Sequence, residues 1–391
     1  YKSIDAGKTW KHIGLQNSYA IGNISINPTN PDILFVSVMG KVFGANKERG
    51  VYRSTDGGIT WQLVLAVDDS TGSPCVIIDP VNPQIIYASM WQAHRTAYSL
   101  SSGGKGCGLY KSTDGGTTWK NISTNPGLPK GMLGKIMVSV SPVNHDLIWA
   151  MIENENGGLF KSEDGGATWN QINTDKNLRQ RPWYFSGVFA DTKDVSTVYV
   201  LNVTAFRSID GGKTFSPLNN HHGDNHDLWI DPNNNQRLII GDDGGAEVTT
   251  DGCNNWTEPD MPTAQMYHVS VDHDFNYHVY GDQQDNSSVR IAGRTDGYSI
   301  DKNDWYPVAG GESGNILSDP DNSEITYGGG YDGALNSFNH QTNQSHDISV
   351  FPVAAIGSGA VDKPYRFQWT YPIVISPFDK NKMYVCSQFV H

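Results

Sequence analysis

One octapeptide decides most of what this chain can become. It reads Ser3-Ile4-Asp5-Ala6-Gly7-Lys8-Thr9-Trp10 and returns at Ser54–Trp61, Ser112–Trp119, Ser162–Trp169 and Ser208–Phe215. A worn copy spans Thr249–Trp256, with Cys253 at a Gly position and Asn255 at the Thr position. A seventh candidate starts at Asp296 and reaches its aromatic, Trp305, late. Short apolar segments such as Gly50-Val51-Tyr52-Arg53 flank the copies. An Asp whose carboxylate accepts backbone N–H groups, followed by Gly at positive φ, makes a hairpin between two such segments. The closing Trp can pack over that turn with its N–H near a partner. These aspartates therefore read as fold staples rather than as a catalytic series.

A second element precedes most copies: an apolar run, a Pro/Asn/Asp turn, and another apolar run. It occurs eight times, from Ile24–Val36 through Val76–Ala88, Met137–Ala150, Val188–Val200, Leu228–Ile240, Val269–Tyr280 and Ile316–Tyr327 to Ile373–Val385. Short strands repeating every forty to sixty residues or so are the signature of a β-propeller. The expectation is an all-β propeller of four-stranded antiparallel blades, seven to eight in number. One domain over residues 1–391 would hold seven full blades and two half-blades at the termini, able to close one ring. Parts of two tandem seven-bladed rings are the alternative. Composition agrees, with 42 glycines and 11% aromatic residues, as hairpin-rich β folds require.

Charge and hydropathy exclude several classes. The formal charge is −13, which repels phosphate backbones and argues against nucleic acid as a partner. No apolar run approaches the ~18 residues of a membrane helix. Cys75, Cys107, Cys253 and Cys386 lack metal-site spacing. Cys75 and Cys107 fall on strands separated by a third, about 9–10 Å apart in an ideal sheet, so free thiols are expected. No cofactor motif is present, and none is expected.

Strand alternation sorts the remaining polar and aromatic stretches. The Pro/Asn turn joins strands 1 and 2 and the octapeptide joins strands 3 and 4, so both emerge on one face. The 2→3 and 4→1 connections emerge on the other. Met90–Gly108, Gly241–Gly245 and Gly281–Asn286 are 2→3 connections. Arg179–Tyr184, His221–Asp227, Gly310–Gly314 and Tyr365–Trp369 are 4→1 connections. Every unrepeated polar-aromatic stretch thus decorates one rim, where a site is expected. Binding candidates are Arg181, Trp183, His222, His226, Gln284, Arg366 and Trp369. Trp91, Tyr184 and Trp229 could also stack on a ligand, and Arg179, Arg181 and Arg366 could clamp a carboxylate. The His and Asp residues of 222–227 are metal-ligand types, but no further spacing supports a metal, and none is expected. Glycoside hydrolysis needs two carboxylates. Glu312, alone in a Gly-rich loop, is the acid candidate, with Asp227, Asp285 or Asp224 as its partner.

The octapeptide is similar to the Asp-box, or bacterial neuraminidase repeat. Leu100–Gly104, Leu178–Tyr184, His222–Pro232, Gly310–Gly314 and Tyr365–Thr370 make the whole chain resemble the bacterial sortilin-type, glycosyl hydrolase-like propellers. The resemblance implies a secreted or cell-surface protein, part of a longer chain or a larger extracellular assembly. It also implies a binding or scaffold role toward a glycan, peptide or partner protein. A glycoside hydrolase is the alternative. The sialidase arginine motif is missing. The Asp context of xyloglucan-cleaving Asp-box enzymes is missing too, since Arg294-Thr295-Asp296-Gly297 leads into the worn seventh box instead.

Overall fold

The structure is a computed structural model that describes residues 1–96, 99–257, 264–351 and 359–391. It divides into two compact units, Tyr1–Pro259 and Asp260–His391. In the first unit, blade 1 is Ile21–Ile26, Leu34–Val38, Gly50–Ser54 and Gln62–Leu65. Blade 2 is Thr71–Ile78, Ile86–Arg95, Gly108–Ser112 and Lys120–Asn121, with Leu100–Ser102 added beside its long second strand. Blade 3 is Ile136–Val140, Ile148–Ile152, Gly158–Ser162 and Asn170–Asn173; blade 4 is Gly187–Ala190, Val198–Leu201, Ala205–Ser208 and Ser216–Pro217. Blade 5 shows three strands among the described residues, Asn225–Ile230, Leu238–Asp242 and Gly245–Thr249.

The second unit holds blade 6 (Met266–Val271, His278–Gln283, Ser288–Ala292, Trp305–Tyr306) and blade 7 (Ile316–Ser318, Ile325–Gly329, Leu335–Asn339, Gln344–Asp347). A two-stranded hairpin, Ile373–Ile375 with Met383–Val385, follows. In every blade the strands named above lie antiparallel to their neighbours in chain order, apart from Leu100–Ser102 beside the second strand of blade 2. The fold is a β-propeller, and each expected 1–2 strand pair is present.

The octapeptide turns are built alike. In the copy at Ser54, Oγ of that serine accepts the Gly58 N–H (2.8 Å) and donates to Asp56 Oδ1. Asp56 Oδ1 accepts the Thr60 N–H (2.9 Å), and Oδ2 accepts the Thr60 hydroxyl (2.6 Å). The Thr249 copy repeats this with Asn255 in the threonine's role. Two successive positive φ angles explain the glycines: +70° and +91° at Gly57 and Gly58. Ala6 and Cys253 adopt the same conformation where glycine is lacking. The candidate at Asp296 departs from the pattern. Its turn is organised by Asp301, which accepts the Asn303 N–H, and by Asp304, which accepts the Asp301 N–H.

Blades hold together by bonds that repeat with them. Within unit 1, a carbonyl in the turn of each of blades 2 to 5 receives a donor from the preceding blade. Tyr87 and Lys111 donate to Gly165 O, Trp149 to Gly211 O, Arg53 to Gly115 O and Arg207 to Gly252 O. First strands bond first strands: Asn23 bridges both backbone groups of Val76, and Ser139 Oγ accepts the Ala190 N–H. In unit 2, Ser270 donates to Ile316 O. Apolar side chains fill the space between, among them Val76, Ile86, Ile136, Ile148, Val198 and Leu238. Burying each such side chain contributes roughly 1.5–3 kcal/mol. All four cysteines are free thiols, Cys75 and Cys107 buried, as their strand separation predicts.

Candidate functional site

In the first unit, four successive blades contribute unrepeated residues to one connected strip. The added strand Leu100–Ser102 lies along Ala93–Arg95 and brings two serines to the blade 2 rim. Trp91, almost wholly buried, donates its indole N–H to Ser102 Oγ (2.8 Å), which donates to Glu153 Oε2 (2.5 Å). That oxygen also accepts the Lys135 backbone N–H. The Lys135 ammonium donates to Phe185 O (3.0 Å) and lies 5.5 Å over the Trp91 ring. Burial pulls this ammonium down to about 8, against the opposing pull of Glu153. Trp183 meets Trp91 edge-on at 5.1 Å and donates to Ser101 O.

The strip continues through the 4→1 connections of blades 4 and 5. Arg181, held at φ +50°, lies 5.0 Å over Tyr184 and 5.2 Å over Phe185 and pairs with Asp224 at 3.4 Å. Asp224 is itself at φ +55°. Non-glycine residues in the left-handed region are strained and cluster where function constrains them. Phe185 stacks on His226 at 5.3 Å, and His226 Nε2 donates to Asp243 Oδ1 at 2.6 Å. A bulge between Asn225 and Asp227 re-aims this stretch.

Beneath it sit two buried acids. Glu247 is fully buried and accepts the backbone N–H groups of His221 and His222 and the His221 Nδ1–H (2.8 Å). Asp242, on the adjacent strand, accepts the Gly244 N–H with Oδ1, while its Oδ2 is buried with no donor. Burial, then the Glu247 charge, holds the Asp242 carboxyl above the usual range.

In the second unit, Glu312 Oε2 accepts the Asp285 N–H (2.9 Å) and a longer bond from Gln284 (3.4 Å). Gln284 also accepts the Tyr267 hydroxyl and donates to Asp285 Oδ1. Trp369, half exposed, stacks on Tyr331 at 4.9 Å. Arg366 is exposed, and its backbone N–H is taken by Gln388. Asp272, Asp274 and His278 bring ligand-type atoms within 4.8 Å of one another. Both Asp272 oxygens are occupied, by the His278 and Tyr280 side chains and by the Asp274 and His278 N–H groups. This is the Asp of a 1→2 turn acting as a turn residue.

The structure therefore joins Arg181, Trp183 and His226 in one strip and sets His222 beside Glu247. Asp227, exposed, caps the neighbouring Leu228 N–H. Gln284, Asp285 and Glu312 form a second group in their own unit. Glu247, Lys135 and Glu153 are not singled out by the sequence, and it places Asp242 and Asp282 only as members of 2→3 connections. A signal existed for the last two: Gly241-Asp242 and Gly281-Asp282 each place an acid after Gly at or next to the end of a strand.

The BNR/Asp-box repeat model matches residues 52–63. The xyloglucanase Xgh74A of Acetivibrio thermocellus is 28% identical over 161 residues, 34% of this chain and 16% of that relative. A GH74 xyloglucanase structure from Xanthomonas campestris aligns with TM-score 0.38 and 14% identity, over 93% of this chain and 60% of that one. The GH74 enzyme of Niastella koreensis gives TM-score 0.39 and 17% identity, over 97% and 62%. YCF48 from Cyanidioschyzon merolae gives 0.43 and 17%, over 81% and 95%. This chain thus spans under two thirds of the two GH74 chains. Among the described residues no helix is long and apolar enough to cross a membrane.

Proposed function

We propose that this Asp-box propeller is a binding module that holds an extended polar ligand, a glycan or peptide segment, along the rim of blades 2–5. One observation carries the reading. Residues outside the repeats, from Ser101 to Asp243, touch one another in an unbroken series across four blades, while the repeated residues are spent on turns and inter-blade bonds. The strip pairs aromatic faces (Trp183, Tyr184) with hydrogen-bonding groups (Arg181, His226, Asp243), the combination that gives orientation and specificity in binding clefts. Its charges already pair with each other, so a ligand exchanges partners with them instead of meeting bare ions. Secretion or surface display suits such a module.

A hydrolytic role is the second reading, favoured by Asp242. A carboxyl kept neutral by burial beside a second carboxylate is what a general acid requires. Burial and the Glu247 charge push the Asp242 carboxyl in that direction, and the local identity to a xyloglucanase supports the same class. Glu312 with Asp285, both in the second unit, remains a further carboxylate pairing to test.

The full chain on glycan and peptide arrays, beside Trp183→Ala, tests the proposal. Capture by the wild type and at least tenfold weaker capture by the variant are expected. Equal capture by both would place binding elsewhere. Release of shortened glycan from a captured ligand would favour the hydrolytic reading.

A further inference from the structure

Asp282, next to last in the second strand of blade 6, has a carboxyl with no solvent exposure. Neither of its oxygens has a hydrogen-bond donor. Its walls are backbone. A Cβ built on Gly310 would stand 2.8 Å from Oδ1, and one on Gly314 would stand 2.7 Å from Oδ2 and 2.1 Å from Gly329 O. Segment 310–314 therefore lies directly on the carboxyl, with no side chain between. The same segment carries Glu312, bonded to Asp285 and Gln284, and fully buried Ser313, which donates to Trp369 O at 3.2 Å.

An ionised carboxylate cannot stay in such a place without a donor or a counter-charge. Two titratable groups face it. Tyr371, whose hydroxyl donates to Ala334 O, is held neutral by burial. Glu312 sits on the segment itself. The Gly314 N–H is near enough to favour the anion but falls outside hydrogen-bonding geometry, and burial outweighs it, pushing the Asp282 carboxyl up to about 7. Among the described residues no cation acts on it. The neutral acid is the form that fits the closed segment.

We propose that protonated Asp282 latches segment 310–314 shut, and that loss of its proton to water drives the segment, with Glu312 and Ser313, off the sheet end. The segment's backbone is the yielding wall, because it is a loop and the opposing wall is a strand. The device makes the unit 2 rim responsive near neutral pH. Below that range Glu312 is held on Gln284 and Asp285. Above it, all three are released together.

Hydrogen exchange read by mass spectrometry on the full chain at pH 5.5 and 8.5, corrected for intrinsic rates, tests this. In the wild type, amides of 309–316 are expected to exchange at least tenfold faster at the higher pH. In Asp282→Asn the segment stays protected at both. Unchanged protection in the wild type, or a wild-type response in Asp282→Asn, overturns the proposal. Should that variant fail to fold, Glu312→Gln decides: the response persists if Asp282 is the titrating group, and its disappearance overturns the assignment.

Discussion

Tyr87 donates its hydroxyl to the carbonyl oxygen of Gly165 at 2.9 Å, 78 positions further along the chain. The bond ties the second strand of blade 2 to the turn of blade 3. Lys111 supports the same oxygen at 2.7 Å. Tyr87→Phe keeps the ring and removes one bond. Because Gly165 O keeps its lysine, the expected loss is only about 1 kcal/mol, read as a lower urea midpoint. A loss above roughly 3 kcal/mol would mean that the hydroxyl organises more than this bond.

Gly127 sits at φ +90°, and a Cβ there would stand 1.7 Å from Trp169 O. Both the backbone conformation and the close approach demand glycine. Gly127→Ala should destabilise by ~3 kcal/mol or more. Gly131, also at positive φ but with open space around it, should tolerate alanine far better. Similar midpoints for the two variants would remove the steric part of the argument.

The box aspartates predict an acid limb of stability. Thr118 bonds hold the Asp114 carboxyl down to about 2, through its hydroxyl first and then its N–H. A carboxyl lowered on folding stabilises the fold above the unfolded value near 4, and that stabilisation is lost as pH falls from about 4 to 2. Asp114→Ala should therefore weaken the protein clearly at pH 7 and much less at pH 2.5. A pH-independent difference in denaturant midpoints would contradict the assignment.

Asp282 carries the opposite sign. Its folded value, about 7, lies above the unfolded one near 4, so the folded state binds the extra proton between them. Stability then falls as pH rises from about 4 to 7 and levels off beyond. Asp282→Asn should remove this slope, so that its stability measured against the wild type rises by on the order of 2–4 kcal/mol as pH goes from about 4 to above 7. Parallel pH–stability curves for variant and wild type would refute it.

The scaffold was legible because its information is local. Each box is a self-contained hydrogen-bond set, and each Pro/Asn turn places its two strands without help from the rest of the chain. Strand alternation then carried Arg181, Trp183 and His226 to the rim. The Asp296 candidate failed where locality fails: without Ser and Thr at the right distances, Asp301 takes the turn. The buried acids stayed hidden for a related reason. Asp282 is unusual because neither of its oxygens has a donor, and Asp242 because one of its oxygens has none; the set of reachable donors depends on Glu247, Gly310 and Gly314, which sequence order does not place beside them. Leu100–Ser102 is not legible as a strand, because its pairing with Ala93–Arg95 depends on the length of the preceding strand rather than on its own composition.

The central claim is that repeated residues build the molecule and the unrepeated rim of blades 2–5 binds. The most direct test is titration of an array-identified glycan or peptide into two variants of matched thermal stability. Arg181→Ala removes a rim group, and Lys120→Ala alters an exposed position on the fourth strand of blade 2, away from that strip. The account predicts at least tenfold weaker binding for Arg181→Ala and wild-type affinity for Lys120→Ala. Equal affinities, or a loss confined to Lys120→Ala, would contradict it.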